Sequence, residues 1–427
     1  MLMITAIVTI FILGYLAITL EHGININKAA SALVTGALCW TVYIMLADNK
    51  DVVSHQLTEH LGEISEILFF LLGAMTIVEL IDVHDGFNII SAKIQQTNKR
   101  KLLWIVSFIT FFLSPIIDNL TTTIVMVSLI RKLINDHEDR LLFTGIVVIA
   151  SNAGGAWSPI GDVTTTMLWI GGQITAGNII LKLFLPSLIC LLIPLIIVSL
   201  KMKGSVSKPI QPENHKLSEL SPKQQYTVLG TGLLILLLVP VFKTITHLPP
   251  YMGIIIGLGI LWIITEIMHG DKDESEKGIL SVSHALRKID SPSILFFLGI
   301  LLAVAALQST GILTSAAEQM SALIPNDNII ILCTGLLSSI VDNVPLVAGV
   351  QGMYDLNQYP TDHAFWEFLA YATGTGGSVL IIGSAAGVAA MGMEKISFFW
   401  YLKKISLLAL IGYFSGAGIY LLQQYFF

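Results

Sequence analysis

Three stretches of the 427-residue sequence place acids in apolar surroundings. Asp118 and Asn119 sit in SPIIDNLTTTIVM (from Ser114), Asp162 in ASNAGGAWSPIGDVTT (from Ala150), and Asp342 and Asn343 in SSIVDNVPLVAG (from Ser338). A charged acid at the centre of a bilayer costs about 2.5–3.5 kcal/mol even on the lenient insertion scale, so each needs a partner. No Lys, Arg or His stands near the middle of an apolar run to provide one. A proton or a mobile cation is left. The neighbouring donors are oxygens: Asn119, Thr121, Thr122 and Thr123 beside the first acid, and Asn152, Ser158, Thr164 and Thr165 around the second. Oxygen suits hard, redox-inert cations such as a small alkali ion, whereas zinc and copper take nitrogen and sulfur. A carboxylate holds either such an ion or a proton, so a shared site gives exchange by competition. The structural alternative for Asp118 and Asp342 is a helix cap that accepts backbone N–H bonds. Glu79 reads equally as a proton-route residue or as an interfacial glutamate.

The elements that must position these residues are membrane helices. With 54% hydrophobic and 12% charged residues, the chain has the composition of a polytopic membrane protein. Its net charge of −6 and the absence of a basic patch argue against a nucleic-acid partner. Runs long enough to span fall near 4–20, 28–47, 64–82, 141–170, 179–200, 225–242, 251–268, 293–309, 365–391 and 403–425. The first lacks the basic start and small-residue cleavage pattern of a signal peptide and reads as a retained span. Cys39, Cys190 and Cys333 lie in apolar runs without metal-ligand spacing and read as core packing without a disulfide. The ten histidines lie in loops or at span ends and read as solvated or interfacial, with a pH-sensing role for His22 or His84 as the alternative.

Two polar-centred segments, 101–133 and 328–352, fit no simple span, and an internal repeat accounts for both. ILFFLLGAMTIVEL from Ile67 resembles ILFFLGILLAVAAL from Ile294, and Asp118-Asn119 recurs as Asp342-Asn343. Gly154, Gly155 and Gly161 align with Gly376, Gly377 and Gly383. The predicted fold is all-α: two five-span units, 1–200 and 225–427, joined by a linker at 201–224. Each unit holds a re-entrant hairpin (101–133, 328–352) and a broken span (141–170, 365–391). Five crossings is odd, so the second unit must sit inverted, as in many secondary transporters. With the amino terminus outside, alternation leaves only Lys50, Lys182 and Lys243 on the outer face and puts the other Lys and Arg residues inside, as the positive-inside rule asks. The first hairpin then opens to the cytoplasm and the second outward. Residues 270–290, and more weakly 50–63, read as interfacial helices.

Non-helical backbone survives at membrane depth only around a cavity or inside protein, so the DN tips and glycine breaks should face a cavity. The second unit would contribute Asn343, Thr373, Thr375 and Ser378, with Ser384 opposite Asp162.

At these residues the sequence resembles a known family. FLLGAMTIVELIDVHDGF, SPIIDNLTTTIVM and SNAGGAWSPIGDVTT, in that order, are similar to the NhaD-type sodium/proton antiporters of the ion transporter superfamily. The resemblance implies exchange of Na+, and of Li+, for H+ across a bacterial cytoplasmic membrane, without a cofactor. It implies cation or proton binding at Asp118, Asn119, Thr121, Asn152, Asp162, Thr164, Thr165, Asp342 and Asn343, with Na+ held at Asp118, Asn119, Asp162 and Asp342. It also implies a homodimer and elevator-like movement. The rival reading within the superfamily is a sodium-coupled dicarboxylate or arsenite carrier, whose hairpin tips typically read Ser-Asn-Thr. Acids at both tips would repel such an anion. An enzyme is disfavoured, because no HExxH or GxSxG sequence occurs and no His lies mid-span.

The charge asymmetry gives a topological prediction. A cysteine introduced at Ser207 should react with a membrane-impermeant thiol reagent only from the cytoplasmic face. Labelling of that residue from outside intact cells would reverse the orientation.

Overall fold

The computed structural model describes residues 2–24, 26–87, 89, 94–207, 220–271 and 274–426. Among these residues the regular structure is helical, apart from a single isolated bridge between Asn98 and Ser205, with turns and short loops between the helices. Eight helices are long and apolar enough to cross a membrane, or nine if Ile312–Leu323 and Asp327–Leu337, bent by 117°, count as one. Large apolar side chains such as Leu181, Ile267 and Leu323 stand exposed on the outside, which a bilayer would cover.

The long spans largely follow the apolar runs. Helices Lys28–Leu46 and Ser291–Ser309 pack along each other, as do Ala176–Lys201 and the last span. That last span runs from Phe398 to Phe426 and contains a π-helical turn at Leu402–Ser406. One expectation changes here: residues 50–63 are not a separate interfacial helix but the start of a 34-residue helix, Lys50–Val83. Asn49 caps it by accepting from the N–H groups of Asp51 and Val52, and nothing in KDVVSHQLTEHLGEISE breaks a helical pattern. The 270–290 segment forms two short helices, Glu274–Leu280 and Val282–Lys288. Most of the linker, 208–219, lies outside the described residues.

The polar-centred segments are broken where the sequence places its acids. Helix Lys99–Ile117 stops at Asp118 and a new helix, Asn119–Leu133, starts there. Asp327–Leu337 gives way to Asn343–Met353 across a gap that ends at Asp342. The glycine-interrupted spans divide likewise into His137–Gly155 and Val163–Ile170, and into Ala364–Gly376 and Ala385–Glu394.

The matched glycines make matched contacts. A Cβ on Gly154 would lie 2.5 Å from the Phe111 carbonyl oxygen, and one on Gly376 would lie 2.0 Å from that of Gly335. Gly155 faces the Gly161 carbonyl as Gly377 faces that of Gly383, while Gly161 lies on Pro115 and Gly383 on Ser339. Backbone meets backbone at both places, so no side chain fits between them. The two halves use the same residues to lay a broken span against the tip of a bent segment.

Two expectations about single residues are overturned. His84 and His269 are fully or almost fully buried, not solvated, and their Nε2 atoms lie 2.9 Å apart. The His84 Nδ1 bonds the Leu80 carbonyl at 2.7 Å, which helps satisfy a buried polar ring. Cys39 and Cys190 are buried, but Cys333 is exposed on an apolar helix face; all three are free.

The glycine contacts predict the cost of a methyl group. Gly376→Ala should destabilise the protein by about 1–3 kcal/mol, as overpacking against rigid backbone does. Gly349→Ala, where a Cβ meets nothing within 4 Å, should be neutral or stabilising. Equal thermal unfolding of the two variants would remove the close-approach argument.

Candidate functional site

Asp118 sits between two helices, and its backbone is unusual. With φ 74° and ψ 161° it occupies a region that is essentially reserved for glycine, at a cost of about 1–3 kcal/mol. A glycine would fit better, so the carboxylate must supply something glycine cannot. Its side chain accepts from the Thr121 N–H at 2.8 Å and from the Thr121 hydroxyl at 2.7 Å. Asp118 therefore caps the helix that follows and orients Thr121.

Asp162 is the most enclosed of the three acids, 1% exposed. It caps Val163–Ile170, accepting from the Thr164 N–H at 2.9 Å and the Thr164 hydroxyl at 2.7 Å on one oxygen. The other oxygen accepts from the Asn119 amide at 2.5 Å. The Asn343 amide lies 3.3 and 3.4 Å from the two oxygens. The Thr165 and Thr166 hydroxyls bond the Asp162 carbonyl at 2.9 and 3.0 Å. The Asn119 amide also donates to Asn152 Oδ1 at 3.0 Å, and the Asn152 amide reaches Ser378 and Ser384 at 3.0 and 2.9 Å. Both helix breaks of the first half thus converge with both breaks of the second. All of these bonds come from neutral groups, and among the described residues no Lys, Arg or His pairs with Asp118 or Asp162.

Asp342 differs, and the expectation that no basic residue could pair with these acids fails there. Lys28 Nζ lies 2.9 Å from Asp342 Oδ2, and the side chains are 25% and 15% exposed. The same ammonium stands 4.4 Å from the centre of the Phe296 ring, a cation–π arrangement. Lys28 opens the helix Lys28–Leu46 and so looked like a membrane-surface residue in the sequence. It is 314 positions from its partner, and nothing in local spacing links the two.

The other expected residues divide. Thr121, Asn152, Thr164, Thr165, Asn343 and Ser378 all belong to the network. Thr373 and Thr375 do not: their hydroxyls bond the carbonyls of Leu369 and Tyr371 in their own helix. Ser158 bonds the Pro115 carbonyl at 2.7 Å and fixes the first bent segment against the break. Ser384 caps Ala385–Glu394 where Asp162 caps its counterpart. Among the described residues no cluster of three or more His, Cys, Asp or Glu forms a metal centre. The donor set here consists of amides, hydroxyls and carboxylates.

A cavity of about 60 Å³ reaches Asp118, Asn119 and Asp162, with Phe70, Leu71 and Phe297 among its apolar walls. Met75, Val78 and Leu120 are shared with a cavity of about 190 Å³ that holds Thr121, Glu79, Asp82, Lys132, Lys288 and Asp290. Glu79 lies 3.4 Å from Lys288 there. A third cavity of about 410 Å³, near Glu63, Glu66 and Gln308, shares no lining residue with the first. In this structure the acids are approached from the Glu79 side.

Apolar helices sufficient for eight or nine crossings, broken around buried acids and amides, define a multi-pass membrane protein with a polar site inside it. The family model described as a citrate transporter, CitMHS, matches residues 1–376. Sodium/proton antiporter 1 of Arabidopsis thaliana is 50% identical over 416 residues, 97% of this chain and 72% of its own length. Sodium/proton antiporter 2 of the same plant is 46% identical over 96% of this chain and 98% of its own. The Na(+)/H(+) antiporter NhaD of Vibrio cholerae is 31% identical over 98% and 92%. The chain belongs to the NhaD-type sodium/proton antiporters, within the CitMHS family of transporters. Because plant and bacterial proteins both stand among these relatives, the likeness does not assign the chain to a bacterial membrane.

The Lys28–Asp342 bridge can be weighed by a double-mutant cycle. Lys28→Gln and Asp342→Asn should each destabilise the protein, and the double variant should do so by less than their sum. The expected coupling is about 1–3 kcal/mol, in the range for residues of one charged network. Strict additivity in thermal unfolding would mean that the bridge contributes nothing.

Proposed function

We propose that the chain exchanges Na+ for H+ across a membrane, with Asp118 and Asp162 as the carboxylates that hold cation or proton in turn. The observation that carries this reading is the contrast among the three acids. Asp342 has a fixed counter-ion in Lys28, while Asp118 and Asp162 have none among the described residues. A mobile positive charge is what neutralises those two. The surrounding oxygens of Thr121, Asn152, Thr164 and the broken helix ends suit a small alkali ion, and Li+ fits the same donor chemistry. The relatives named as sodium/proton antiporters support the same pair of ions.

The repeated glycine contacts support two units of one design, with 101–133 and 328–352 as hairpins entering from opposite faces in an inverted arrangement. Glu79 and Asp82 then line the cytoplasmic approach, with the amino terminus outside. A homodimer with an elevator-like moving part remains the arrangement implied by the family. Arg131 and Arg140 support one part of it: both are held by Glu394, at 2.5 and 3.2 Å, which ties the first hairpin and the first broken span to the second broken span.

The family model's description names citrate, which gives the second reading its footing. Arg131 and Arg140 are committed to Glu394, and Arg100 and Arg287 lie near helix ends away from the acids, at the start of Lys99–Ile117 and in the last turn of Val282–Lys288. An anionic substrate would meet Asp118 and Asp162 with no guanidinium to clamp it.

Proteoliposomes with a trapped pH dye, given Na+, Li+, K+ and citrate in turn, test the proposal. Proton movement should follow Na+ and Li+. Asp118→Asn, which keeps size but fixes the residue neutral, should fall to background. Asp118→Gly should fall equally while unfolding at the same or a higher temperature, because glycine accepts φ 74° without strain. Uptake of citrate with no Na+-driven proton movement, or full exchange by Asp118→Asn, would overturn the reading.

A further inference from the structure

A cluster of lysines lies away from the acids. Lys99, Lys201, Lys203, Lys403 and Lys404 all line one cavity of about 550 Å³. They come from the start of helix Lys99–Ile117, the end of Ala176–Lys201 with the residues after it, and the π turn of the last span. Asp139 is the single acid of that lining, and Lys99 already holds it at 2.6 Å. Among the described residues no carboxylate pairs with Lys201, Lys203, Lys403 or Lys404. Lysines at span ends are ordinary marks of a cytoplasmic surface. Here they converge on a concave site from three separate elements.

The site is also built. The segment after Lys201 is pinned to the first bent segment by backbone bonds, Lys99 N–H to the Gly204 carbonyl at 3.1 Å and Val206 N–H to the Thr97 carbonyl at 2.8 Å. That fixes Lys203 against the cavity. The π turn, a device frequent at functional sites, carries Lys403 and Lys404, while its Ile405 packs tightly against Gly145. Beside the lysines, Leu200 and Leu407 are 66% and 65% exposed. A concentrated positive charge next to an exposed apolar wall matches a ligand that is anionic at one end and hydrocarbon at the other.

We propose that this cavity binds the phosphate headgroup of an anionic membrane lipid, with its acyl chains along Leu200 and Leu407. Basic pockets between transmembrane helices at a membrane face recognise such headgroups. A free phosphate shares the headgroup's charge but has no use for the leucines, so the two sources can be told apart. The inference does not depend on which ion the protein carries.

The test uses the full chain, delipidated in a neutral detergent, with thermal unfolding followed on adding phosphatidylglycerol, phosphatidylcholine or inorganic phosphate. Phosphatidylglycerol should raise the unfolding temperature by roughly 3 °C or more through binding to the folded state; the other two should not. The shift should vanish in a variant with Lys201, Lys203, Lys403 and Lys404 each changed to Gln. It should persist when Lys101, Lys223, Lys277 and Lys395 are changed instead. If the fourfold cavity variant does not fold, the pair Lys201→Gln/Lys203→Gln, at exposed positions, should reduce the shift by half or more. An undiminished shift in the cavity variants, an equal loss in the control, or the same shift from inorganic phosphate would each overturn the proposal.

Discussion

A carboxylate at membrane depth has to be satisfied by something other than water, and at Asp162 that demand shapes the surrounding fold. A continuous helix could not serve it, because helical N–H groups are already committed within the helix. A helix start can, since its first N–H groups are free and its dipole end favours negative charge. Val163–Ile170 begins at Asp162 for that reason, and Thr164 turns both its N–H and its hydroxyl to one carboxylate oxygen. The other oxygen needs donors from outside the chain segment. Asn119 and Asn343 bring them, and each stands directly after a bent-segment acid. The glycines follow from this geometry. Asn119 can reach Asp162 because Gly154 and Gly161 let the break lie directly on Phe111 and Pro115.

The two halves meet the same demand with different chemistry. In the first, Asp118 accepts from Thr121 in a strained backbone conformation and Asp162 is held by neutral donors. In the second, Asp342 is balanced by Lys28, and Ser384 stands where Asp162 would be. Pro345, Leu346 and Val347 stand where Thr121, Thr122 and Thr123 follow Asp118, so no hydroxyl follows the second acid at those positions. The two broken regions thus differ in chemistry: among the described residues no basic side chain pairs with Asp118 or Asp162, while Asp342 is paired with Lys28 and the region around it supplies amides and hydroxyls.

Much of this was legible in the sequence, because the acids, the oxygen-rich neighbours and the glycine pairs are local patterns whose physical meaning does not depend on the rest of the chain. Long apolar runs announced the spans for the same reason. What escaped depends on distant packing or on side-chain rotation. Lys28 reads as a surface lysine until Asp342 is brought to it from the other half. His84 and His269 end two different helices and become a buried pair only where those helices cross. Thr373 and Thr375 sit beside the aligned glycines, yet their hydroxyls turn to the preceding helical turn, as threonines in helices often do. Residues 50–63 are polar enough to suggest a membrane-surface helix, but composition alone cannot separate that from the protruding end of a longer span.

That long helix bears on how a site between two aqueous faces can be opened to one at a time. Glu63 and Glu66 at its middle line the 410 Å³ cavity, and Glu79 and Asp82 near its end line the 190 Å³ cavity. Between them Phe70, Leu71 and Ala74 face the acids. The second half of this helix thus carries acids on either side of a short apolar stretch. In the proposed exchange the ion would not need to move far along this helix. Bent segments and broken spans that are tied to each other, as Glu394 ties Arg131 and Arg140, could shift together past an apolar strip that offers no foothold to a bare cation. The strip matters because a charge that left its carboxylate there would pay the full desolvation cost. In the proposed exchange a cation would then cross only with the acid that holds it, and that restriction would couple its movement to the proton that replaces it.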